Sequence, residues 1–372
     1  MRRMSGPMAF CASRPFRFGL IGAGVAAEIH VAAMRTVPGV EVHAIADVAP
    51  ERARALAARY DIPEVHESGE ALAARAPVDA VAVLTPHHLH LLYVLAAASA
   101  GRHVLVEKAI AHTVAAADEL ISACRARGVT LAGIFQNRFT PAARRLREAV
   151  ATGALGRVCL ASVTVKEHRP PTYFVDSPWR GRKAEAGGGV LMIQAIHMID
   201  LLLWVLGMPR RVVAQARTTV HDVEVEDVAV GLLEFEGGLM AALQATTVAV
   251  PGQAPSVDIH GDRGTATVSG NWGHLAFQLR SGAEPGVDIP SELHPTQASV
   301  EPYAAQIADF VAAVREGRPP LVDGVEARKA LVVVEALYRS AGTGRWVTVD
   351  SASSAPAARQ GPAEAKDLTG SA

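Results

Sequence analysis

The stretch from Ala186 to Gly207 carries a histidine that could take part in proton transfer. Three glycines precede a run of residues that are apolar except for Gln194, His197 and Asp200. A helix that is apolar almost all round is normally buried. His197 is therefore either a core histidine whose ring nitrogens pair with neighbours or a catalytic group that faces a cleft. The stretch alone leaves both interpretations open.

A second stretch with chemical potential is the turn Gly22-Ala23-Gly24-Val25-Ala26-Ala27, between a short apolar run and a helical pattern. Its two glycines allow a tight turn and let a pyrophosphate approach the N-terminus of the helix. Asp47 ends the next apolar run, at the spacing where an acid contacts the adenosine ribose of a dinucleotide. We predict that Gly22, Gly24, Val25, Ala26 and Asp47 bind a dinucleotide; the alternative is a purely structural turn.

Asp47 also bears on the choice of dinucleotide. A carboxylate accepts hydrogen bonds from the free ribose hydroxyls of NAD and repels the 2′-phosphate of NADP. Two unit charges about 4 Å apart interact by roughly 4 kcal/mol at an effective dielectric constant near 20, which sets an upper bound on the discrimination. The sequence therefore favours NAD, with NADP the less favoured cofactor.

The elements that position these residues alternate through the first part of the chain. Short apolar strand patterns are followed by helical patterns of about a dozen residues, which is typical of a parallel sheet covered on both faces. We predict a doubly wound α/β domain over residues 15–138. Its predicted strands are 16–21, 40–46, 79–84, 103–106 and 130–134, and its predicted helices are 28–36, 50–60, 89–100 and 113–127.

The rhythm changes after Pro141, where strand patterns follow one another with few helices between them. Successive strands separated by turns indicate an open-faced, mainly antiparallel sheet with helices on one face, an α+β domain over residues 139–349. The small, polar ends, residues 1–14 and 350–372, are predicted to be disordered. The predicted strands are 158–166, 211–219, 228–234, 239–248, 256–260 and 265–268, and the later helices are 303–315 and 325–340.

Composition excludes several classes of protein. The formal charge of the 372 residues is −1, and the basic residues are scattered, which argues against nucleic acid as a partner. The three cysteines form no CxxC pair, so we expect neither a disulfide framework nor a zinc site. The N-terminal stretch lacks the apolar core of a signal peptide, and no uninterrupted apolar run is long enough for a membrane span. We expect a cytoplasmic protein without a membrane partner.

Further motifs follow the ends of predicted strands in a distinctive order. They are Thr85-Pro86-His87-His88-Leu89-His90, Glu107-Lys108, Gln136-Asn137-Arg138-Phe139, Tyr173, and Pro178-Trp179-Arg180-Gly181 ahead of the three glycines. This order resembles the Gfo/Idh/MocA oxidoreductases, which act mainly on sugars, cyclitols and nucleotide-linked sugars. The resemblance covers about residues 15–349 and implies a Rossmann domain followed by an open-faced sheet domain.

The resemblance implies that Lys108 and His197 are catalytic and face the nicotinamide. Lys108 would accept the proton of a substrate hydroxyl, since burial can lower a lysine pKa toward about 7–8. His197 would hydrogen-bond the reacting oxygen or relay its proton, with neutral and charged forms both accessible near pH 7. The residues expected to line the cofactor are Thr85, Pro86, His90, Glu107, Lys108 and Gln136. Those expected to contact substrate are Lys108, Arg138, Tyr173, Trp179, Arg180, Gln194 and His197.

Two positions depart from the family pattern. The family's proline after the lysine is Ala109, and because a cis bond before a residue other than proline costs about 3 kcal/mol, we expect a trans bond or a displaced Lys108. The family's aspartate four residues before the histidine is Ile193, which cannot orient or charge the pair. His87, His88 and His90 lack a cysteine or carboxylate set to complete a metal site, so no metal is predicted.

We interpret the chain as an NAD-dependent dehydrogenase or reductase acting on a ring hydroxyl or ketone of a sugar, cyclitol or sugar derivative. One alternative is glycoside hydrolysis or elimination with a recycled cofactor, and another is a non-enzymatic cofactor or sugar sensor. Apolar outward positions in strands such as 239–248 need a cover, so we expect a homodimer or homotetramer that forms through the second sheet.

Overall fold

The computed structural model of the protein describes residues 14–271, 273–281 and 299–350. The ends predicted to be disordered therefore lie outside the described residues, except for Arg14 and Asp350. Within the described ranges the chain forms a parallel sheet, a larger mixed sheet and the helices that cover them.

The first sheet has six parallel strands in the order β3-β2-β1-β4-β5-β6. Helices cover both of its faces, and every residue of β4 is buried, as expected of a central strand in a doubly wound sheet. The predicted doubly wound fold is confirmed. The strands are β1 Phe16–Ile21, β2 Val40–Ala46, β3 Glu64–His66, β4 Ala80–Val83, β5 His103–Val106 and β6 Leu131–Gly133. The helices are α1 Val25–Thr36, α2 Pro50–Tyr60, α3 Gly69–Arg75, α4 His90–Ser99 and α5 Val114–Ala126.

The second sheet has eight strands in the order β13-β12-β11-β7-β10-β9-β8-β14. Its neighbours are antiparallel except for β7 and β10, which pair in parallel, so the mainly antiparallel prediction is confirmed. The strands are β7 Val158–Lys166, β8 Arg211–Arg217, β9 Val228–Glu234, β10 Met240–Thr246, β11 Ser256–Gly261, β12 Gly264–Asn271, β13 His274–Ser281 and β14 Val347–Thr348. The helices are α6 Pro141–Ala151, α7 Thr172–Val175, α8 Lys183–Ala186, α9 Ile196–Leu206, α10 Glu301–Glu316 and α11 Gly324–Thr343.

The apolar stretch of the sequence forms the core helix of the second domain. A π-helical segment, Leu191–Ala195, leads directly into α9. The Glu226 carboxylate accepts hydrogen bonds from the N–H groups of Gly189 at 2.8 Å and Leu191 at 2.9 Å, which satisfies donors at the start of this segment. The stretch Lys183–Leu206, which includes α8, the π-helical segment and α9, is long and apolar enough to cross a membrane, but 78% of its most apolar window is buried inside the protein. Its composition is therefore that of a core helix.

Helix α10 returns to the first domain. Its Phe310 ring lies 5.9 Å from that of Phe18 on β1, and the Gln306 amide donates to the carbonyl oxygen of Gly133 at the end of β6. The predicted boundaries assign this helix to the second domain, residues 139–349. In space, however, it packs against the first domain. The packing joins the two domains next to the carboxyl ends of the parallel strands.

Candidate active site

The turn after β1 has one glycine that the protein itself requires and one that it does not. Gly22 has φ 107°, and a Cβ there would lie 2.8 Å from the carbonyl oxygen of Leu84. Gly24 has φ −82°, and a Cβ there would meet no atom within 4 Å. Gly24 is the N-cap residue of α1, and no side chain caps this end of the helix. The open space above Gly24 and this helix N-terminus fit the close approach of a pyrophosphate.

Asp47 joins the glycine turn to the loop after β2. Its carboxylate accepts hydrogen bonds from the N–H groups of Ala23 at 2.6 Å and Ala49 at 2.8 Å. Val25, which is 83% exposed, and the partly exposed Ala26 follow on the first turn of α1. The residues predicted from the glycine motif therefore lie together at one edge of the sheet.

Two further polar atoms near this edge have no hydrogen-bond partner in the described part of the chain. They are Oγ1 of Thr85, after β4, and Oε1 of Gln136, after β6. Pro86 begins the short 3₁₀ turn that follows Thr85. A buried polar atom without a partner costs about 1–3 kcal/mol, so these atoms fit the polar groups of a bound dinucleotide.

His90 supports the cofactor loop from behind and does not line it. The side chain is fully buried, with Nδ1 2.9 Å from the carbonyl oxygen of Ala109 and Nε2 2.9 Å from that of Thr85. The predicted cofactor contact is therefore corrected: both ring nitrogens are engaged by the loops that Thr85 and Ala109 belong to. His87 is also occupied, since its Nδ1 donates to the carbonyl oxygen of Ala186.

Lys108 lies at the junction of the domains, at the end of β5. Its Nζ donates a hydrogen bond of 2.6 Å to the backbone carbonyl of Ile193 in the π-helical segment. Burial lowers the pKa of Lys108 to about 8, and the charge of Glu107 opposes this decrease. The peptide bond from Lys108 to Ala109 is cis, so the expected trans bond is wrong. Ala109 is fully buried, and its carbonyl oxygen lies 2.9 Å from Nδ1 of His90.

His197, one turn along from Ile193, is partly exposed and faces the same junction. Its ring lies edge-on to Phe135 at 6.2 Å between centroids, and its buried Nδ1 has no hydrogen-bond partner among the described residues. Burial, and then the charge of Lys108, lowers the pKa of His197 to about 3. The expectation that the charged form is accessible near pH 7 is therefore wrong. His197 is a neutral imidazole, which can donate one hydrogen bond and accept another.

The loop after β7 forms a wall of aromatic and basic side chains. The Arg180 guanidinium lies 4.4 Å from the centre of the Tyr173 ring, and the Tyr173 hydroxyl accepts a hydrogen bond from the Gln194 amide at 3.0 Å. The Trp179 ring lies edge-on to His87 at 4.9 Å. The charge of Arg180 contributes to the lowered pKa of Lys108, so this wall lies close to the lysine. Four residues predicted as substrate contacts are thereby brought together.

Arg138 has a different role from the one predicted. The side chain is 1% exposed, and its guanidinium donates to the two carboxylate oxygens of Asp200 at 2.8 and 2.6 Å and to Glu326 at 3.1 Å. Three of its five N–H groups are engaged in this way, and the buried side chain leaves a substrate in the cleft almost no access to the others. The predicted substrate contact is corrected to a buried ion pair between the first domain and α9.

Sequence reasoning missed three charged or titratable residues at the junction. His30 on α1 lies 2.7 Å from Glu107, and the partly buried Glu167 and Arg169 form an ion pair just after β7. The charges of Glu167 and Arg169 both act on Lys108. A histidine at a buried position of an amphipathic helix was the available signal for His30. Nothing in the local pattern marked the other two.

A Rossmann sheet that carries an open glycine turn and a buried lysine, joined to a second sheet domain that presents a neutral histidine, defines a dinucleotide-binding oxidoreductase. Residues 16–135 match the family model described as an oxidoreductase family with an NAD-binding Rossmann fold, and residues 143–267 match the GFO/IDH/MocA C-terminal domain. The protein belongs to the Gfo/Idh/MocA family of oxidoreductases, and its cofactor is NAD.

Named relatives span most of the chain. It is 31% identical to the 1,5-anhydro-D-fructose reductase of Ensifer adhaerens over 90% of this chain and 99% of the relative. It is 28% identical to the inositol 2-dehydrogenase of Rhizobium meliloti (strain 1021), with coverage of 90% and 99%. The WlbA dehydrogenase of Bordetella pertussis, solved in complex with NADH and UDP-GlcNAcA, superimposes with a TM-score of 0.81 at 29% identity, over 91% of this chain and 99% of that one.

Proposed function

We propose that the protein transfers a hydride between NAD and a ring hydroxyl or ketone of a sugar, cyclitol or sugar derivative. The observation that carries the proposal is the placement of Lys108. Its amine rests on the helix that bears His197, and its pKa of about 8 lets it exchange a proton near neutral pH. The relatives named for anhydrofructose and inositol act on cyclic polyhydroxylated compounds, which is consistent with this substrate class.

The chemistry divides between the cofactor and the protein. NAD supplies the hydride acceptor, or in reduced form the hydride donor. Lys108 accepts the proton of the substrate hydroxyl during oxidation and returns it to the oxygen during reduction. The neutral His197 hydrogen-bonds the reacting oxygen and fixes its position relative to the lysine. Trp179, Arg180 and the Tyr173–Gln194 pair form the wall against which the rest of the substrate is oriented.

Asp47 would set the preference for NAD over NADP. Its carboxylate is fixed by two backbone N–H groups and stands beside the glycine turn. A fixed negative charge at this place repels a 2′-phosphate and accepts hydrogen bonds from the free ribose hydroxyls.

A panel of neutral sugars, uronates and inositols, each with NAD and with NADP, tests the proposal through the absorbance of the reduced nicotinamide. We expect NAD-dependent turnover of at least one cyclic polyol or sugar, and its loss in Lys108→Met with NAD affinity retained. Product formation without net reduced cofactor would instead indicate hydrolysis or elimination with a recycled cofactor. Sugar binding without turnover of any substrate would indicate a sensor.

We further propose that the protein is a cytoplasmic homodimer or homotetramer assembled through the second sheet, with neither nucleic acid nor membrane as a partner. The uncovered face of this sheet exposes Leu160 on β7 and Val230 and Leu232 on β9, at 47%, 55% and 42%. These strands flank β10, and exposed apolar side chains on one face of a sheet are typical of a surface that another subunit covers. Light scattering should give a multiple of the chain mass, and a Val230→Lys variant should shift it toward the monomer. A monomeric wild-type protein at micromolar concentration would contradict the proposal.

A further inference from the structure

His30 connects the helix of the glycine turn to the catalytic lysine. It lies within α1, is fully buried, and places Nε2 2.7 Å from Oε1 of Glu107. The second carboxylate oxygen of Glu107, Oε2, accepts the backbone N–H of Lys108 at 3.0 Å. Each oxygen of one carboxylate is thus held by a different segment. The three residues form a continuous chain from the dinucleotide-binding helix to the residue proposed to move the proton.

The Glu107 carboxylate is buried and nevertheless remains ionised. Burial opposes ionisation, but the hydrogen bond and charge of His30, the charge of Lys108 and its N–H together hold the pKa of Glu107 well below its usual range. The negative charge of Glu107 in turn supports the ammonium form of Lys108 against burial. A donor at position 30 therefore acts on the lysine through the glutamate.

The other charged and titratable groups around this chain come from four elements. His87 and His90, in the segment that leads into α4, are both subject to the charge of Glu107. Tyr303 on α10 packs edge-on to His30 at 5.3 Å between ring centroids. Glu167, Arg169 and Arg180, from the loop after β7, act electrostatically on Lys108, and its own charge acts on His197 of α9. Among the groups acting on Lys108, Glu107 contributes the largest effect that favours the charged amine.

We propose that His30 is a positioning residue for the reaction: it fixes the Glu107 carboxylate, and through that carboxylate it sets the orientation and the protonation of Lys108. The inference rests on the proposed function only where it assigns proton transfer to Lys108. Because the N-terminus of α1 is also the proposed site of the dinucleotide pyrophosphate, His30 links the lysine, through Glu107, to the helix that orders the cofactor.

The test compares His30→Leu, which removes the donor, with His30→Gln, whose amide can replace Nε2. Met34→Leu, one turn further along the buried face of α1, is the matched control for packing. Competitive labelling of the amines with acetic anhydride across a pH series, read by mass spectrometry of the Lys108 peptide, measures the pKa of Lys108 without a substrate. The exposed Lys183 serves as the internal reference.

In His30→Leu the Glu107 carboxylate loses the donor that holds Oε1 in place and supports the ammonium form of Lys108 less well, so we expect the pKa of Lys108 to fall by about one pH unit. His30→Gln and Met34→Leu should keep the wild-type value. Glu107→Gln should lower the pKa of Lys108 to a similar extent, and His30→Leu should add little in that background, because the two residues act as one unit. Equal values for His30→Leu and wild type, or equal shifts in His30→Leu and His30→Gln, would overturn the proposal.

A second arm uses turnover of whichever substrate the panel identifies. His30→Leu should lower kcat about tenfold or more and move the pH limb governed by Lys108 in the same direction as the labelling, with NAD affinity within about threefold. His30→Gln should recover most of kcat. If no sugar is turned over, the proposed function fails while the labelling still decides the role of His30. A variant that melts early but keeps the wild-type pKa would assign His30 to packing alone, and the inference would be refuted.

Discussion

Replacement of Arg138 by methionine tests whether this residue serves stability or substrate binding. The guanidinium makes two hydrogen bonds to Asp200, at 2.8 and 2.6 Å, inside a site where the arginine is 1% exposed and the aspartate is fully buried. Removal of one partner of a buried ion pair leaves an uncompensated charge and typically costs about 3–5 kcal/mol. We expect a decrease of that size in the free energy of unfolding of Arg138→Met, measured by urea denaturation.

The stability of Arg138→Met should also depend on pH, in a direction that follows from the pKa of Asp200. Burial already raises the pKa of Asp200, and the charge of Arg138 counteracts that increase. Without the arginine, the folded-state pKa of Asp200 rises further above its unfolded value, so the folded protein binds a proton more tightly than the unfolded chain. Stability associated with this group is then present at low pH and lost as pH rises through the folded pKa. The deficit of Arg138→Met relative to wild type should therefore grow as pH rises from below the pKa of Asp200 in the wild-type protein to above its pKa in the variant.

Two further variants complete the test. Arg138→Met combined with Asp200→Leu removes both charges and should recover most of the loss, since an apolar pair can replace a buried ion pair at little cost. Arg144→Met, at an exposed position of the neighbouring α6, should change stability by less than about 0.5 kcal/mol. If Arg138→Met keeps wild-type stability and instead raises KM for the sugar, Arg138 is a substrate contact and the reasoning is refuted.

Three other predictions concern the cleft. Gly24→Ala should weaken NAD binding at least tenfold with little change in melting temperature, because the added Cβ meets only open space in the protein, whereas Gly22→Ala should lower the melting temperature; equal NAD affinity in Gly24→Ala and wild type would contradict the role of the turn. The pH profile of oxidation should rise through about pH 8 as the Lys108 ammonium loses its proton. His197→Asn should lower turnover about 10²–10⁴-fold while the fold and NAD affinity are kept, and normal turnover of the folded variant would refute a catalytic His197. Asp47→Ala should erode the preference for NAD over NADP, and a wild-type protein that binds NADP more tightly than NAD would defeat the account of this carboxylate.

The doubly wound parallel sheet was predictable because local patterns indicate it. Alternating strands and helices, a glycine turn and an acid at the end of β2 are all short-range signals. Strand β3 and helix α3 were missed because three and seven residues are too few to establish a period. The parallel pairing of β7 with β10 also has no local signature, since α9, β8 and β9 lie between these two strands in the sequence.

The site residues also divide into those that the sequence indicates and those that meet only in the folded chain. Lys108 and His197 could be named through the family resemblance, but their protonation depends on burial that only the folded chain defines. Arg138 and Asp200 are 62 positions apart, and His30 and Glu107 are 77 positions apart. No pattern within either local segment predicts that these side chains meet. Sequence reasoning therefore placed Arg138 in the cleft and left His30 unnoticed.

The departure at Ile193 has a physical consequence for the lysine. A carboxylate side chain four residues before His197 would add a negative charge near Lys108 and favour its ammonium form. The protein instead offers the lysine a backbone carbonyl of Ile193, at 2.6 Å, from a π-helical segment where the regular α-helical ladder is interrupted. This acceptor orients the amine without adding a full charge, so burial prevails and the pKa of Lys108 falls to about 8. Loss of the aspartate therefore leaves the lysine positioned for proton transfer, and Glu107, held by His30, becomes the carboxylate that sets how readily Lys108 gives up its proton.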